Sequence, residues 1–173
     1  MYKLPLRMQL IFDQLLPGQP VWDFCCDHGI LGISAYRSGL FPEVYFVDQV
    51  AHIMDQLRAR FSEKHFDELS TSRAEFFTSA GEDLDTVLKG NVVIAGVGTH
   101  TIFKILNSLH QKDLLQAQRV ILCPQNYEDK LIGFLSEIPN FQYEFCNEHY
   151  EFVERGRARK LLILHKKSVM ESV

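Results

Sequence analysis

The sequence predicts an α/β fold: a mainly parallel, seven-stranded sheet with a C-terminal antiparallel hairpin and helices on both faces. Three observations carry this. Short apolar runs rich in Val, Ile, Phe and Tyr alternate with stretches of helical period, the pattern of strands buried on both faces and joined by crossover helices. The end of the chain breaks that alternation, with two extended runs either side of a glycine turn and no room for a crossover helix. At 173 residues, 46% hydrophobic and 23% charged, the chain has the size and composition of one globular domain, residues 1–173.

The elements follow in order. In residues 1–18, Lys3 and Arg7 lie among apolar residues, but Asp13 interrupts the run and no small-residue cleavage site follows, so the segment predicts a helix and not a signal peptide. Strands are predicted at 20–25, 43–48, 73–79, 91–96 and 119–124, with helices near 31–38, 50–62, 82–88, 99–111 and 127–137. Residues 19–138 make the doubly wound core and 139–167 the hairpin, closed by "ERGRA"; the tail "SVMESV" is expected to fray.

Composition narrows the function. No apolar run approaches the roughly 20 residues of a membrane span, so no membrane association is expected. A net charge of -4 argues against a wholly basic nucleic-acid surface. A local patch remains open at Arg155, Arg157, Arg159, Lys160, Lys166 and Lys167, which reads either as a solvated hairpin end or as a phosphate contact. Cys25, Cys26, Cys123 and Cys146 form no C-x-x-C pair, which suits a reducing cytoplasm. Cys25, Cys26 and His28 lack the second ligand pair of a structural zinc site, and no metal is expected.

The informative stretch is "VWDFCCDHGILG", residues 21–32, at the first strand-to-helix turn, where doubly wound sheets bind their ligands. Asp23 closes the strand, Gly29 permits a tight turn or the close approach of a ligand, and the next helix would aim its N-terminal amides at that ligand. Asp48 ends the second strand, where a carboxylate accepts from both hydroxyls of a ribose; it reads also as a helix cap. Gly96 and Gly98 end the fourth strand, allowing another close approach, and Thr99 or Thr101 offers a cap for the helix after it.

Asp23-Phe24-Cys25-Cys26-Asp27-His28-Gly29-Ile30-Leu31, Ile94-Ala95-Gly96-Val97-Gly98 and Val120-Ile121-Leu122-Cys123-Pro124 resemble, in order and spacing, the motifs of the bacterial S-adenosylmethionine-dependent tRNA (adenine(22)-N1)-methyltransferases (TrmK). The resemblance spans roughly residues 5 to 165. It implies a Rossmann-like class I methyltransferase in the cytoplasm, with S-adenosyl-L-methionine as cofactor and tRNA as partner. Three departures stand out: Cys25 occupies the place of the family's glycine nearest the cofactor, Thr99 replaces a second glycine, and the family's C-terminal helical extension has no counterpart.

The resemblance also implies roles. Asp27 and His28 are the candidate catalytic residues, Asp27 as the carboxylate beside the methylated ring; their structural alternatives are a loop-bonding carboxylate and a loop anchor. For the cofactor, Asp23 closes the strand, Asp48 takes the ribose, the backbone around Cys25, Asp27 and Gly29 takes the methionine end, and Gly96 forms the wall. Glu82 or Asp83 would take the adenine amine, or serve as first-turn acids favoured by a helix dipole. Trp22, Phe24, His100 and Tyr127 are the aromatic candidates for stacking on a base. Two other functions stay open: a degenerate domain that binds cofactor or a partner without transfer, and a small-molecule methyltransferase. A nicotinamide oxidoreductase is disfavoured by the missing glycine fingerprint. The sequence is silent on oligomeric state.

Overall fold

Buried β-branched and aromatic runs place five parallel strands side by side: β1 (Val21–Phe24), β2 (Glu43–Asp48), β3 (Arg73–Thr78), β4 (Asn91–Ala95) and β5 (Arg119–Cys123). The computed structural model describes residues 4–63, 71–146 and 150–167; Lys3 and the tail "SVMESV" lie outside them. β8 (Arg157–Lys166) lies antiparallel to β5, and β6 (Tyr143–Phe145) and β7 (Tyr150–Glu154) both pair with β8. The sheet order is β3-β2-β1-β4-β5-β8-β6. The helices are α1 (Leu6–Asp13), α2 (Ile30–Ser38), α3 (Ala51–Phe61), α4 (Thr99–Gln111) and α5 (Glu128–Ser136).

Successive strand side chains point to opposite faces, so one sheet builds two cores. Trp22, Phe24, Val92, Ile94 and Leu122 pack with Ile102, Ile105, Leu106 and Leu109 of α4 and Leu131 and Leu135 of α5. Val21, Val44, Phe46, Val93 and Ile121 pack with Ile11, Leu31, Met54 and Leu57 from α1, α2 and α3.

The parallel strands and the closing antiparallel hairpin follow the expected pattern, with two differences. The described strands number eight, because the first arm of the hairpin is divided into β6 and β7, each holding its own part of β8. The helix expected over 82–88 is a single 3-10 turn, Gly81–Asp83. Leu84 and Leu88 are both buried, but the backbone at Leu88 pairs instead with the segment after α4: its N–H donates to the Leu114 carbonyl at 2.8 Å and its carbonyl accepts from the Gln116 N–H at 2.9 Å. Lys112 Nζ takes the Glu82 and Leu84 carbonyls from the side. Tertiary partners thus satisfy the groups a helix would have satisfied.

The two glycines of "GILG" share one neighbour. A Cβ on Gly29 would sit 3.2 Å from Phe46 Cε1 and 2.8 Å from Leu57 Cδ1, and one on Gly32 would overlap the Phe46 ring. They form the groove by which α2 seats on β2. Gly32→Ala is therefore expected to destabilise the protein by about 1–3 kcal/mol, the cost of overpacking a close-packed core, read as a lower urea midpoint.

Chain order reverses between β1 and β4, whose neighbours are β2 and β5. A crevice opens there beyond the strands' carboxyl ends, where such sheets bind ligands.

Candidate functional site

The loop leaving β1 is wound by three left-handed residues, Cys25 (φ 55°), Asp27 (φ 48°) and Gly29 (φ 67°). Glycine adopts this conformation freely and aspartate with little penalty. Cys25 pays the penalty. Its N–H donates to the Val47 carbonyl at 2.8 Å, and the Gly29 N–H donates to the Cys26 carbonyl at 2.7 Å. Its half-buried thiol packs on the core under α4.

Asp48 ties this loop to β2. One carboxylate oxygen accepts the Asp27 N–H at 3.3 Å, and the other accepts the Val50 N–H at 3.0 Å. Asp48 is thus not the cap of α3, whose first flanking residue is Val50, but closes a turn two residues before it. A carboxylate has about four lone-pair sites, so about two acceptor positions remain.

Asp23 sits below the loop, facing the core of α2. The residue is 5% exposed, and its carboxylate accepts the Gly32 N–H at 2.9 Å. Burial raises its pKa to about 7; the Gly32 bond opposes the rise and the Asp48 charge adds to it. The Cys25 thiol is pushed up to about 12 by burial, then by the charges of Asp48, Asp23 and Glu82. Cys26 is driven higher, by burial and by Asp23 and Asp48. The loop is an acidic environment with protonated thiols.

The opposite wall is the turn after β4. Gly96 is left-handed (φ 75°), and a Cβ on Gly96 or Gly98 would meet nothing within 4 Å, so both border open space. Gln125 braces this turn by donating from its N–H to the Val97 carbonyl and from Nε2 to the Gly96 carbonyl. Thr99 is buried, and its hydroxyl donates to the Asn126 carbonyl at 2.6 Å. The expected caps are thus not made: Gly98 precedes α4 with no side-chain cap, and Thr99 joins the β4 turn to the β5 turn.

Around this crevice lie Cys25, Asp27, His28, Gly29, Asp48 and Gly96, with Asp23 buried beneath the loop. The side chains of Asp27 and His28 are each 67% exposed, with His28 Nε2 3.8 Å from Asp27 Oδ1. Glu82 acts on Cys25 electrostatically, but its carboxylate is 2.6 Å from Lys104 Nζ and is held below its ordinary pKa by that lysine. Glu82 and Asp83 also line a cavity of about 350 Å³ against α4, with Phe103, Lys104, Ser108 and Lys112. Trp22 and Phe24 are core residues, 3% and 1% exposed. Tyr127, 62% exposed and left-handed at the head of α5, and exposed His100 remain as surface aromatics.

Arg60 escaped the sequence reading. From α3 it donates to the His28 carbonyl at 3.1 Å and anchors the loop; one arginine on a polar helix face carries no signal of this. Among the described residues no group of three His, Cys, Asp or Glu could hold a metal ion, and no helix is long and apolar enough to cross a membrane.

A family model described as "Methyltransferase domain" matches residues 4–157, most of the chain. The chain belongs to this methyltransferase family. By sequence, no curated protein matches it. The methyltransferase fold is also similar to three solved structures. A Streptococcus pneumoniae protein in complex with S-adenosyl-L-methionine superposes with TM-score 0.77 at 19% identity, over 99% of this chain and 77% of that one. M. capricolum TrmK with S-adenosyl-homocysteine gives 0.74 at 17%, over 99% and 74%. The B. subtilis m1A22 tRNA methyltransferase TrmK gives 0.74 at 17%, over 96% and 68%.

Proposed function

We propose that this methyltransferase uses S-adenosyl-L-methionine to methylate a ring nitrogen of adenine, N1, in tRNA, and so acts in the cytoplasm. One observation carries the reading. At the switch point, a carboxylate with spare acceptor capacity is fastened to a left-handed loop facing a glycine wall that borders open space. This donor and acceptor set fits the cofactor: Asp48 for the ribose diol, acidic surroundings for a sulfonium cation, and Gly96 and Gly98 for close passage. The amides of Cys25, Cys26, Asp27 and Gly29 are spent on the Val47 carbonyl, Asp48 and the Cys26 carbonyl. The loop therefore offers the carbonyls of Cys25 and Asp27 to the methionine ammonium. Asp23 serves through Gly32, holding α2 under the loop, and Glu82 and Asp83 flank the adenine end.

The cofactor supplies an already activated methyl group, so the protein has to position and stabilise. Neutral adenine has its N1 lone pair available and gains positive charge on methylation. Asp27, exposed at the mouth, stabilises that charge and accepts the N6 proton; His28 sits beside it to hold its orientation. Exposed Tyr127 is the candidate to stack on the base. The tRNA assignment is supported by the similarity to TrmK.

The first experiment is calorimetric titration with S-adenosyl-L-methionine and S-adenosyl-homocysteine, in reducing buffer with a chelator, followed by methyl transfer to unmodified tRNA. Micromolar binding and N1-methyladenosine in the digested tRNA are expected; no binding by folded protein would overturn the reading. Asp27→Asn preserves a residue that tolerates the left-handed loop. It is expected to lower kcat about 10–100-fold while leaving the cofactor Kd nearly unchanged. Unchanged kcat would remove Asp27 from the reaction.

A further inference from the structure

At the other end of the sheet the C-terminal strands assemble a thiol, an imidazole and a carboxylate in series. Cys146 Sγ lies 3.2 Å from His165 Nδ1, and His165 Nε2 lies 2.9 Å from Glu144 Oε1. The placement follows from register. Glu144 pairs with His165 across β6 and β8, and the Cys146 N–H donates to the Ile163 carbonyl. Cys146 therefore falls on the same sheet face, diagonal to the histidine. His165 in turn pairs with Arg119 at the start of β5, so the site is remote from the crevice at the strands' carboxyl ends.

We infer that Cys146 is a reactive thiol that forms mixed disulfides with low-molecular-weight disulfides, with His165 as its base and Glu144 as the residue that positions His165. Two ring nitrogens with different partners make a proton relay and not a metal site. The carboxylate takes the Nε2–H, which leaves Nδ1 as the acceptor facing sulfur, the arrangement that activates a nucleophile. Cys146 also lines a cavity of about 110 Å³ with Ile132, Phe145, Lys160, Leu162 and Ile163, which gives a small chain room beside the sulfur. Among the described residues, Glu144 on β6 and Arg119 on β5 lie opposite His165, and Lys160 on β8 lines the cavity with Cys146; Arg119 is engaged by the Gln14 carbonyl, and Lys160 by Asp129 and Glu151. Burial raises the pKa of the other three cysteines, Cys25, Cys26 and Cys123.

In the reaction His165 Nδ1 takes the Cys146 proton and the thiolate attacks one sulfur of the disulfide. A Cys146 S–S bond forms as the old S–S bond breaks. The other half leaves as a thiolate and takes the proton from His165. One disulfide is consumed and one thiol released, with no further oxidant or reductant.

The test treats reduced protein with glutathione disulfide at a series of pH values and follows intact mass and the modified peptide. One glutathione is expected on Cys146 ahead of the other cysteines, at a rate whose pH midpoint lies below the ordinary thiol value of about 8.5. His165→Asn should slow the reaction at pH 7 by about tenfold or more and move the midpoint up, and Glu144→Gln should move it part of the way. Cys146→Ser should abolish the early adduct. First modification at another cysteine, or a wild-type midpoint at or above the ordinary value, overturns the inference. The wild-type profile decides the matter alone if the His165 variant does not fold, and equal midpoints in a folded variant overturn it as well.

Discussion

Asp23→Asn is expected to make the protein more stable at pH 8 and to leave its stability unchanged near pH 4. The carboxyl ionises near 3.8 when unperturbed and near 7 in the folded protein, where burial opposes its charge. Between those values the folded chain keeps a proton that the unfolded chain has released, so stability falls as pH rises from about 4 through about 7 and levels off above. A difference of about 3 pH units corresponds to roughly 4 kcal/mol, or a melting-temperature difference on the order of 10 °C for a chain of this size. Asparagine carries no charge and retains an oxygen for the Gly32 N–H. Near pH 4 the neutral carboxyl and the amide place similar groups in the same pocket. Urea melts of both proteins at pH 4, 6 and 8 would show the gap opening with pH; a gap of constant size, or a less stable variant at pH 8, would show that Asp23 is not held neutral by burial.

Asp48→Ala should weaken S-adenosyl-L-methionine binding by about 100-fold. A hydrogen bond to a charged group contributes about 1.5–3 kcal/mol, and each 1.4 kcal/mol is tenfold in affinity, so losing two ribose bonds places the effect at or above that figure. The substitution also strips the acceptor from the Asp27 and Val50 amides, which should lower stability by about 1–2 kcal/mol. Calorimetry and melting separate the two: a loss of affinity in a protein that is folded at the assay temperature supports the ribose role. Unchanged affinity with reduced stability would leave Asp48 as a tie between β2 and the first loop.

Residue pattern alone carried the order of strands and helices because buried strands and amphipathic helices differ in hydrophobic period, and that period is local. That Asp23, Cys25, Asp27, Gly29, Asp48 and Gly96 fall at one edge of the sheet was legible for a related reason: strands in a doubly wound sheet run parallel, so every strand's end reaches the same edge. The error over 82–88 has the opposite cause. Its apolar spacing suits a helix, but the partners that claim its backbone are Leu114 and Gln116, after α4.

Tertiary structure decided what each of these residues touches. Asp23 and Asp48 each end a strand in the sequence, yet one is buried against Gly32 and the other is partly exposed and holds the Asp27 and Val50 amides. Trp22 and Phe24 are core, whereas Tyr127 is exposed. Glu144, Cys146 and His165 show no spacing that marks them as a group; only the register of β6 on β8 brings them within hydrogen-bond distance. Hydrophobic period is written residue by residue, so the sequence by itself determined the α/β architecture and the edge that holds the crevice. Burial and side-chain partnership arise between residues far apart in the chain, and only the folded structure decided which carboxylate is buried, which ties the first loop to β2, and which thiol has an imidazole beside it.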